Sequence, residues 1–211
     1  MTIRIFLLSI TVCFIDYYST AQNIVTKYDN GEIRSEGLEN TMGKHGEWKF
    51  YYPNGTLSAI EQYANGQQHG RSKYYHINGI LIADEYWHHD ILTDSAFYFH
   101  QNGKLKRHGV YVEGLYEGNW NAYHQNGQIK SKGNYVYGLP EGDWEFYNDQ
   151  GILIQSGAYS NGKEAGTWRF FDEKGRLHYE GSFKEGKEVG KWYQFTKSGK
   201  KKLYQDYGNQ P

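Results

Sequence analysis

The sequence has little of what builds helical cores, covalent cross-links or one-signed surfaces. It contains one cysteine, two methionines and three prolines in 211 residues, and Ile, Val and Leu are sparse. A lone cysteine, Cys13, excludes an intrachain disulfide and any Cys-based metal site. No Leu and Ala stripe recurs at the 3.6-residue period, which excludes a helical bundle. The longest apolar stretch, Ile5 to Ile15, is too short for a permanent membrane span of about 20 residues. Charge is balanced, with 23 basic against 24 acidic residues, a formal net charge of −1 and mixed signs along the chain. Nucleic-acid binding needs a basic face or stripe, so no nucleic-acid partner is expected. The short run of Lys197, Lys200, Lys201 and Lys202 reads as a protected sheet edge.

What the chain does have is aromatics and glycine: 21 Tyr, 10 Phe, 6 Trp and 26 Gly. Rings and glycines among alternating polar positions suit short strands joined by tight turns, so the expected class is all-β.

Residues 1–21 read as a signal peptide. Arg4 precedes the apolar stretch, and Ser19-Thr20-Ala21 offers small residues for cleavage near Ala21–Gln22. The expectation is export to the periplasm, cell surface or medium, with Cys13 removed. The other readings are an uncleaved anchor or a buried first strand. A lipoprotein site at Ile10-Thr11-Val12-Cys13 fits less well, because Val12 is bulky where a small residue is wanted.

The remainder is a repeat of 24 residues. Anchors fall at Gly46, Gly70, Asp94, Gly118, Gly142, Gly166 and Gly190, with no insertion or deletion between them. Two residues on (+2) stand Trp48, Ser72, Ala96, Trp120, Trp144, Trp168 and Trp192. The +5 column is aromatic: Tyr51, Tyr75, Phe99, Tyr123, Tyr147, Phe171 and Phe195. The +9 column is Gly55, Gly79, Gly103, Gly127, Gly151, Gly175 and Gly199. Leu or Ile fills +11 until Lys201, and an aromatic fills +17 in every copy. Residues 22–45 read as an N-terminal capping half-repeat, 46–208 as seven repeats and 209–211 as a tail.

Each copy parses as a hairpin. Asn-Gly pairs such as Asn54-Gly55 and Asn102-Gly103 imply turns in which both residues accept positive φ. The even offset from +11 to +17 places Leu and the ring on one face. Glycine at +15 (Gly109, Gly133, Gly157, Gly181) implies close approach by a ring from the adjacent strand. Tandem hairpins without crossovers give an elongated, single-layer antiparallel meander of roughly 70 Å, from strands ~4.8 Å apart.

The pattern Gly-x-Trp-x-x-Tyr-x-x-x-Gly-x-Leu, then Gly-x-Tyr-x-x-Gly-x-x-x-Gly, resembles the MORN repeat variant. The clearest copies run Gly118–Gly142, Gly142–Gly166 and Gly166–Gly190, and the resemblance covers about residues 28–208. It implies a β-meander without enzymatic activity and no catalytic residues to carry over. Bacterial chains of this type are often described as antitoxins, and others as scaffolds or membrane-associated modules. The second and third copies depart from the pattern, with Ser72 and Ala96 for Trp and Asp90 and Asp94 for Gly. Residues 86–97 are therefore expected to hold a bulge, a bend or a binding place.

Nine histidines invite a metal reading. His76, His100 and His124 share the +6 column, but neighbours in it are two strands apart, ~10 Å, too far for one ion. In a strand His88 and His89 would face opposite sides, so no metal and no cofactor is expected. There is no Gly-x-Ser-x-Gly elbow, and an exposed sheet offers acids such as Glu61, Asp84 and Glu85 no desolvating pocket. The expectation is no enzyme. Trp48, Trp120, Trp144, Trp168 and Trp192 read as structural, as do the +9 glycines. Trp48 and Phe50 have one parity and Tyr51 the other, so one aromatic row must be partly exposed. The row Tyr51, Tyr75, Phe99, Tyr123, Tyr147 and Phe171 is the candidate binding row, for a protein partner or else a membrane or glycan surface. The expected function is an exported, non-catalytic scaffold. The alternatives are an antitoxin or immunity protein and an envelope-attachment module.

Overall fold

The computed structural model describes residues 21–208. Cys13, the expected leader apart from Ala21, and residues 209–211 lie outside the described residues. Seventeen strands join antiparallel into one open sheet, and no helix occurs among the described residues. Strands pair in chain order, from Gln22–Lys27 with Ile33–Asn40 to Lys187–Phe195 with Lys201–Asp206, except that Gln67–Gln68 and Gly70–Tyr75 both pair with Leu57–Ala64. The meander expected from the repeat is the fold. One unit is irregular: its first strand is split into Gln67–Gln68 and Gly70–Tyr75, with His69 between them.

The two edges carry different turns. On one, Gly55 N donates to Tyr52 O at 2.9 Å, and the +9 glycines from Gly55 to Gly175 have φ between +76° and +94°. Asn54, Asn78, Asn102 and Asn126 are not among the positive-φ residues. This corrects the reading of a two-residue Asn-Gly turn: only the glycine is left-handed, as in a type I turn closed by a bulge. The asparagine acts through its side chain. Asn126 Oδ1 accepts from Gln128 N, while its Nδ2 donates to Asp149 O of the next unit. The paired left-handed residues lie on the opposite edge, at Asn65-Gly66, His89-Asp90, Glu113-Gly114, Tyr137-Gly138, Asn161-Gly162 and Glu185-Gly186.

Those turns also settle residues 86–97. Asp90 (φ 63°) and Asp94 (φ 57°) take the left-handed conformations that glycine takes in other units, so the strands Leu81–His88 and Ile91–Phe99 stay paired. Two of the +6 histidines, His100 and His124, are staples between units, whereas His76 Nδ1 lies 2.9 Å from Asn78 Oδ1 in its own turn. His100 Nε2 and His124 Nε2 lie 2.9 and 2.8 Å from Tyr123 O and Tyr147 O, where Tyr28 and Tyr52 use hydroxyls on Tyr51 O and Tyr75 O.

One face of the sheet is packed with rings. The five +2 tryptophans are 3–7% exposed. Each lies across a glycine of the preceding unit: a Cβ at Gly133 would stand 2.1 Å from Trp144, with similar closeness at Gly37, Gly109, Gly157 and Gly181. The +17 rings meet the tryptophans edge-on, as Tyr135 meets Trp144 at 5.1 Å and 87°. Most of the indole N–H groups donate to the backbone, Trp168 Nε1 to Ala158 O at 3.0 Å for example.

The opposite face is polar, with Asn119, Asn121, Lys132, Asn134, Asp143 and Glu145 lining a shallow groove over Gly133. A one-residue register shift after +4 pairs Tyr51 with Leu57, Tyr123 with Ile129 and Phe171 with Leu177. The +11 Leu therefore sits with the +5 aromatic and not with the +17 ring. This overturns the face assigned by counting, because a bulge inserts a residue and resets parity.

Candidate functional site

The candidate row Tyr51, Tyr75, Phe99, Tyr123, Tyr147 and Phe171 is half-buried on the polar face. Its hydroxyls are held locally. Tyr51 donates to Glu36 Oε1 at 2.6 Å and Tyr147 to Glu145 Oε2 at 2.6 Å, while Tyr123 stacks on His108. Burial first, then Glu36, pushes the Tyr51 hydroxyl up to about 12. The row is aligned along the sheet, and Tyr51, Tyr123 and Tyr147 are engaged in local contacts.

The units that depart from the repeat make a different centre on the ring face. Where the others place glycine at +15 and Trp eleven residues later, these place Glu61 with Ser72 and Glu85 with Ala96. The two exchanges compensate: a glutamate side chain fills the slot that an indole fills elsewhere, and the facing residue shrinks. Ser72 and Ala96 are fully buried. Tyr63 donates its hydroxyl to Glu61, and the Tyr98 and Tyr111 hydroxyls lie 3.1 Å apart. Arg107 stands 4.3 Å over the Tyr98 ring and donates from Nη1 to Tyr116, and its buried Nε has no hydrogen-bond partner. Burial is the main cause that raises the hydroxyls of Tyr63, Tyr74, Tyr98 and Tyr111, with Tyr74 and Tyr111 at about 12. Asp84 and Glu85 are both buried, contrary to the expectation that an exposed sheet leaves acids solvated. Asp84 is gripped on the polar face by Arg71, with Nε on Oδ1 at 2.6 Å.

Beside this centre, on the edge of paired left-handed turns, three histidines meet. One ring nitrogen from each of His69, His88 and His89 lies within 4.8 Å of the others. The ring centroids are 4.3–5.3 Å apart. The expectation that His88 and His89 face opposite sides fails because the strand ends at His88 and His89 enters the turn at φ 50°.

The same edge is apolar over the next turns. Ile91, Val112, Leu115, Val136, Tyr137 and Leu139 are exposed, Tyr137 to 80%. Val112 pairs with Leu115 and Val136 with Leu139 across their turns. Leu115 lies against Gly138 and Leu139 against Gly162, so the side chains follow one another from turn to turn. At the equivalent pairs beyond, Ser160 faces Lys163 and Lys184 faces Lys187, which ends the stripe. Counting columns around the turns would have found it, since three successive units place Ile or Leu three residues before the anchor.

The model of the MORN repeat variant family matches residues 44–65, 116–137 and 165–185. Each match spans one hairpin of the sheet. The matched segments leave out residues 66–115, which hold the three histidines, Ser72, Asp84, Glu85 and Ala96. No curated protein matches the chain.

Proposed function

Since this chain is a protein of MORN repeat variants, a kind of repeat that in general serves protein or membrane interaction, we propose that it is a non-catalytic scaffold that docks a protein partner along its edge of left-handed turns. Such repeat scaffolds are typically non-enzymatic. The observation that carries the proposal is the exposed apolar stripe from Ile91 to Leu139. Six exposed apolar side chains follow one another along this edge and stop at a lysine-bearing border, which is how docking surfaces are bounded. The half-buried aromatic row on the polar face is tied to its own strands and is a weaker anchor.

Export through residues 1–21 belongs to the same proposal and places the partner outside the cytoplasm. The N-terminal residue of the native protein tests that part, with Gln22 the expected start.

The docking edge is tested with Leu115→Lys/Val136→Lys, which leaves the ring face untouched. The tagged wild-type chain is expected to retain a partner from an envelope or secreted fraction that the double variant fails to retain. Equal recovery by both chains, or recovery of nothing specific, removes the reading. Sedimentation with neutral liposomes that persists in high salt and is lost in the variant transfers the stripe to a membrane.

A further inference from the structure

We propose that His69, His88 and His89 form a three-imidazole binding site for a divalent transition ion of the zinc class, clamped between a strand break and the following turn. The ring nitrogens already converge within 4.8 Å. Zinc–imidazole bonds of about 2.0–2.1 Å in tetrahedral array need nitrogens roughly 3.3 Å apart. His88 and His89 are exposed, so side-chain rotation closes that gap without moving the sheet.

The backbone beneath the rings is fixed in advance. Asp90 N donates to Gln68 O at 3.1 Å, and Gln68 N donates to Asp90 Oδ1 at 2.7 Å. These two bonds lock the His88–Asp90 turn to the segment carrying His69. His69 N in turn donates to Gln62 O at 2.8 Å. Asp90 stands at φ 63° where the five other turns of this kind have glycine, so a small conformational cost is accepted in exchange for its carboxylate contact.

Gln67 also holds one of the rings in place. Gln67 Oε1 lies 3.0 Å from His89 Nδ1. With the proton on Nδ1 donated to that amide oxygen, Nε2 is the free ligand atom, the arrangement that orients metal-bound imidazoles.

The columns show that these side chains are additions to the repeat. Positions equivalent to His88 hold Asn40, Ala64, Val112, Val136, Ser160 and Lys184, and those equivalent to His89 hold Asn65, Glu113, Tyr137, Asn161 and Glu185. His45 is the only other histidine in the His69 column. Only one unit brings three imidazoles together. Imidazole nitrogens suit zinc, copper and nickel, whereas calcium and magnesium require oxygen cages that this edge lacks. Three ligands leave a fourth position for water or for a side chain of whatever docks on the neighbouring stripe.

The test uses the full chain after treatment with chelator. Titration calorimetry with Zn²⁺ is expected to give one ion per chain, and Co²⁺ a visible absorption of tetrahedral intensity. His69→Gln, His88→Gln and His89→Asn should each weaken binding at least tenfold, with Asn chosen at 89 because it tolerates the left-handed turn. Gln67→Ala should weaken it about tenfold with unchanged stoichiometry. His178→Gln should bind as the wild type does. Circular dichroism confirms that each variant keeps the sheet. Absence of saturable Zn²⁺ binding by the wild type overturns the proposal, and so does wild-type affinity in folded His88→Gln/His89→Asn.

Discussion

The indole of Trp144 lies across Gly133 of the preceding unit so closely that a Cβ on that glycine would fall 2.1 Å from the ring. Glycine and tryptophan, eleven residues apart, are thus one packing element shared by two hairpins. The same element recurs at Gly37 with Trp48, Gly109 with Trp120, Gly157 with Trp168 and Gly181 with Trp192. At the two places where it is missing, Glu61 faces Ser72 and Glu85 faces Ala96. The chain therefore uses two solutions to one packing problem, and the polar solution lies in the N-terminal half of the sheet with the indole solution on both sides of it.

This coupling makes a quantitative prediction. Gly133→Ala should destabilise by about 1–3 kcal/mol through overpacking against the ring. Trp144→Ser should cost on the order of 3–5 kcal/mol by emptying a buried site. The double change Gly133→Glu/Trp144→Ser copies the arrangement of Glu61 and Ser72. It should lose less than the sum of Gly133→Glu and Trp144→Ser, with a coupling of about 0.5–3 kcal/mol. Urea midpoints of the four chains decide it, and strict additivity refutes the exchange.

Most of this architecture was legible in the residues. An unbroken period fixed the hairpins, and glycine at +15 announced the ring above Gly133. What counting missed came from parity and turns. The bulge after Phe50 moves Leu57 to the face of Tyr51, and a strict count of two per residue pair has no means of seeing an inserted residue. His88 and His89 looked divergent because the strand was extended through a turn whose second residue is aspartate in place of glycine. The docking stripe was hidden for a related reason: Ile91, Leu115 and Leu139 flank turns, and apolar residues there look like strand interior until the edge is located.

The +6 staples predict an exchange between residue types. His124→Ala removes the contact to Tyr147 O and should cost about 0.5–1.5 kcal/mol. His124→Tyr should retain most of it, because Tyr52 makes the equivalent bond to Tyr75 O through its hydroxyl. Denaturant melts of the two variants should separate them. Equal loss in both would show that a tyrosine hydroxyl does not replace the imidazole at this position, which refutes the exchange.

Arg71 and Asp84 predict an asymmetric response. The Asp84 side chain is 8% exposed, while Arg71 is half exposed. Arg71→Met strands a buried carboxylate and should cost about 1–3 kcal/mol, toward the lower end because water reaches the arginine side. Arg71→Met/Asp84→Leu should recover much of that loss, since neither charge then needs a partner. A double variant as unstable as the single would show that the pair holds the strand by shape alone.

The buried tyrosines of the polar centre set how the sheet fails in alkali. Burial lifts Tyr74 and Tyr111 from 10.0 to about 12, and Tyr63 and Tyr98 are raised in the same direction. A phenol whose folded value exceeds its unfolded value stabilises fully below the unfolded value. That contribution drains as pH climbs through the folded value, so the loss falls between about pH 10 and 12. Tyrosinate absorbance should accordingly rise in two stages. The first stage leaves the near-ultraviolet dichroism of the tryptophans intact, and the buried group follows as that signal collapses. Tyr98→Phe removes one ionising group and should shift the collapse to higher pH. If every tyrosine titrates in one stage while the tryptophan signal persists, the hydroxyls of the ring face are open to water and the polar centre is not the buried cluster described.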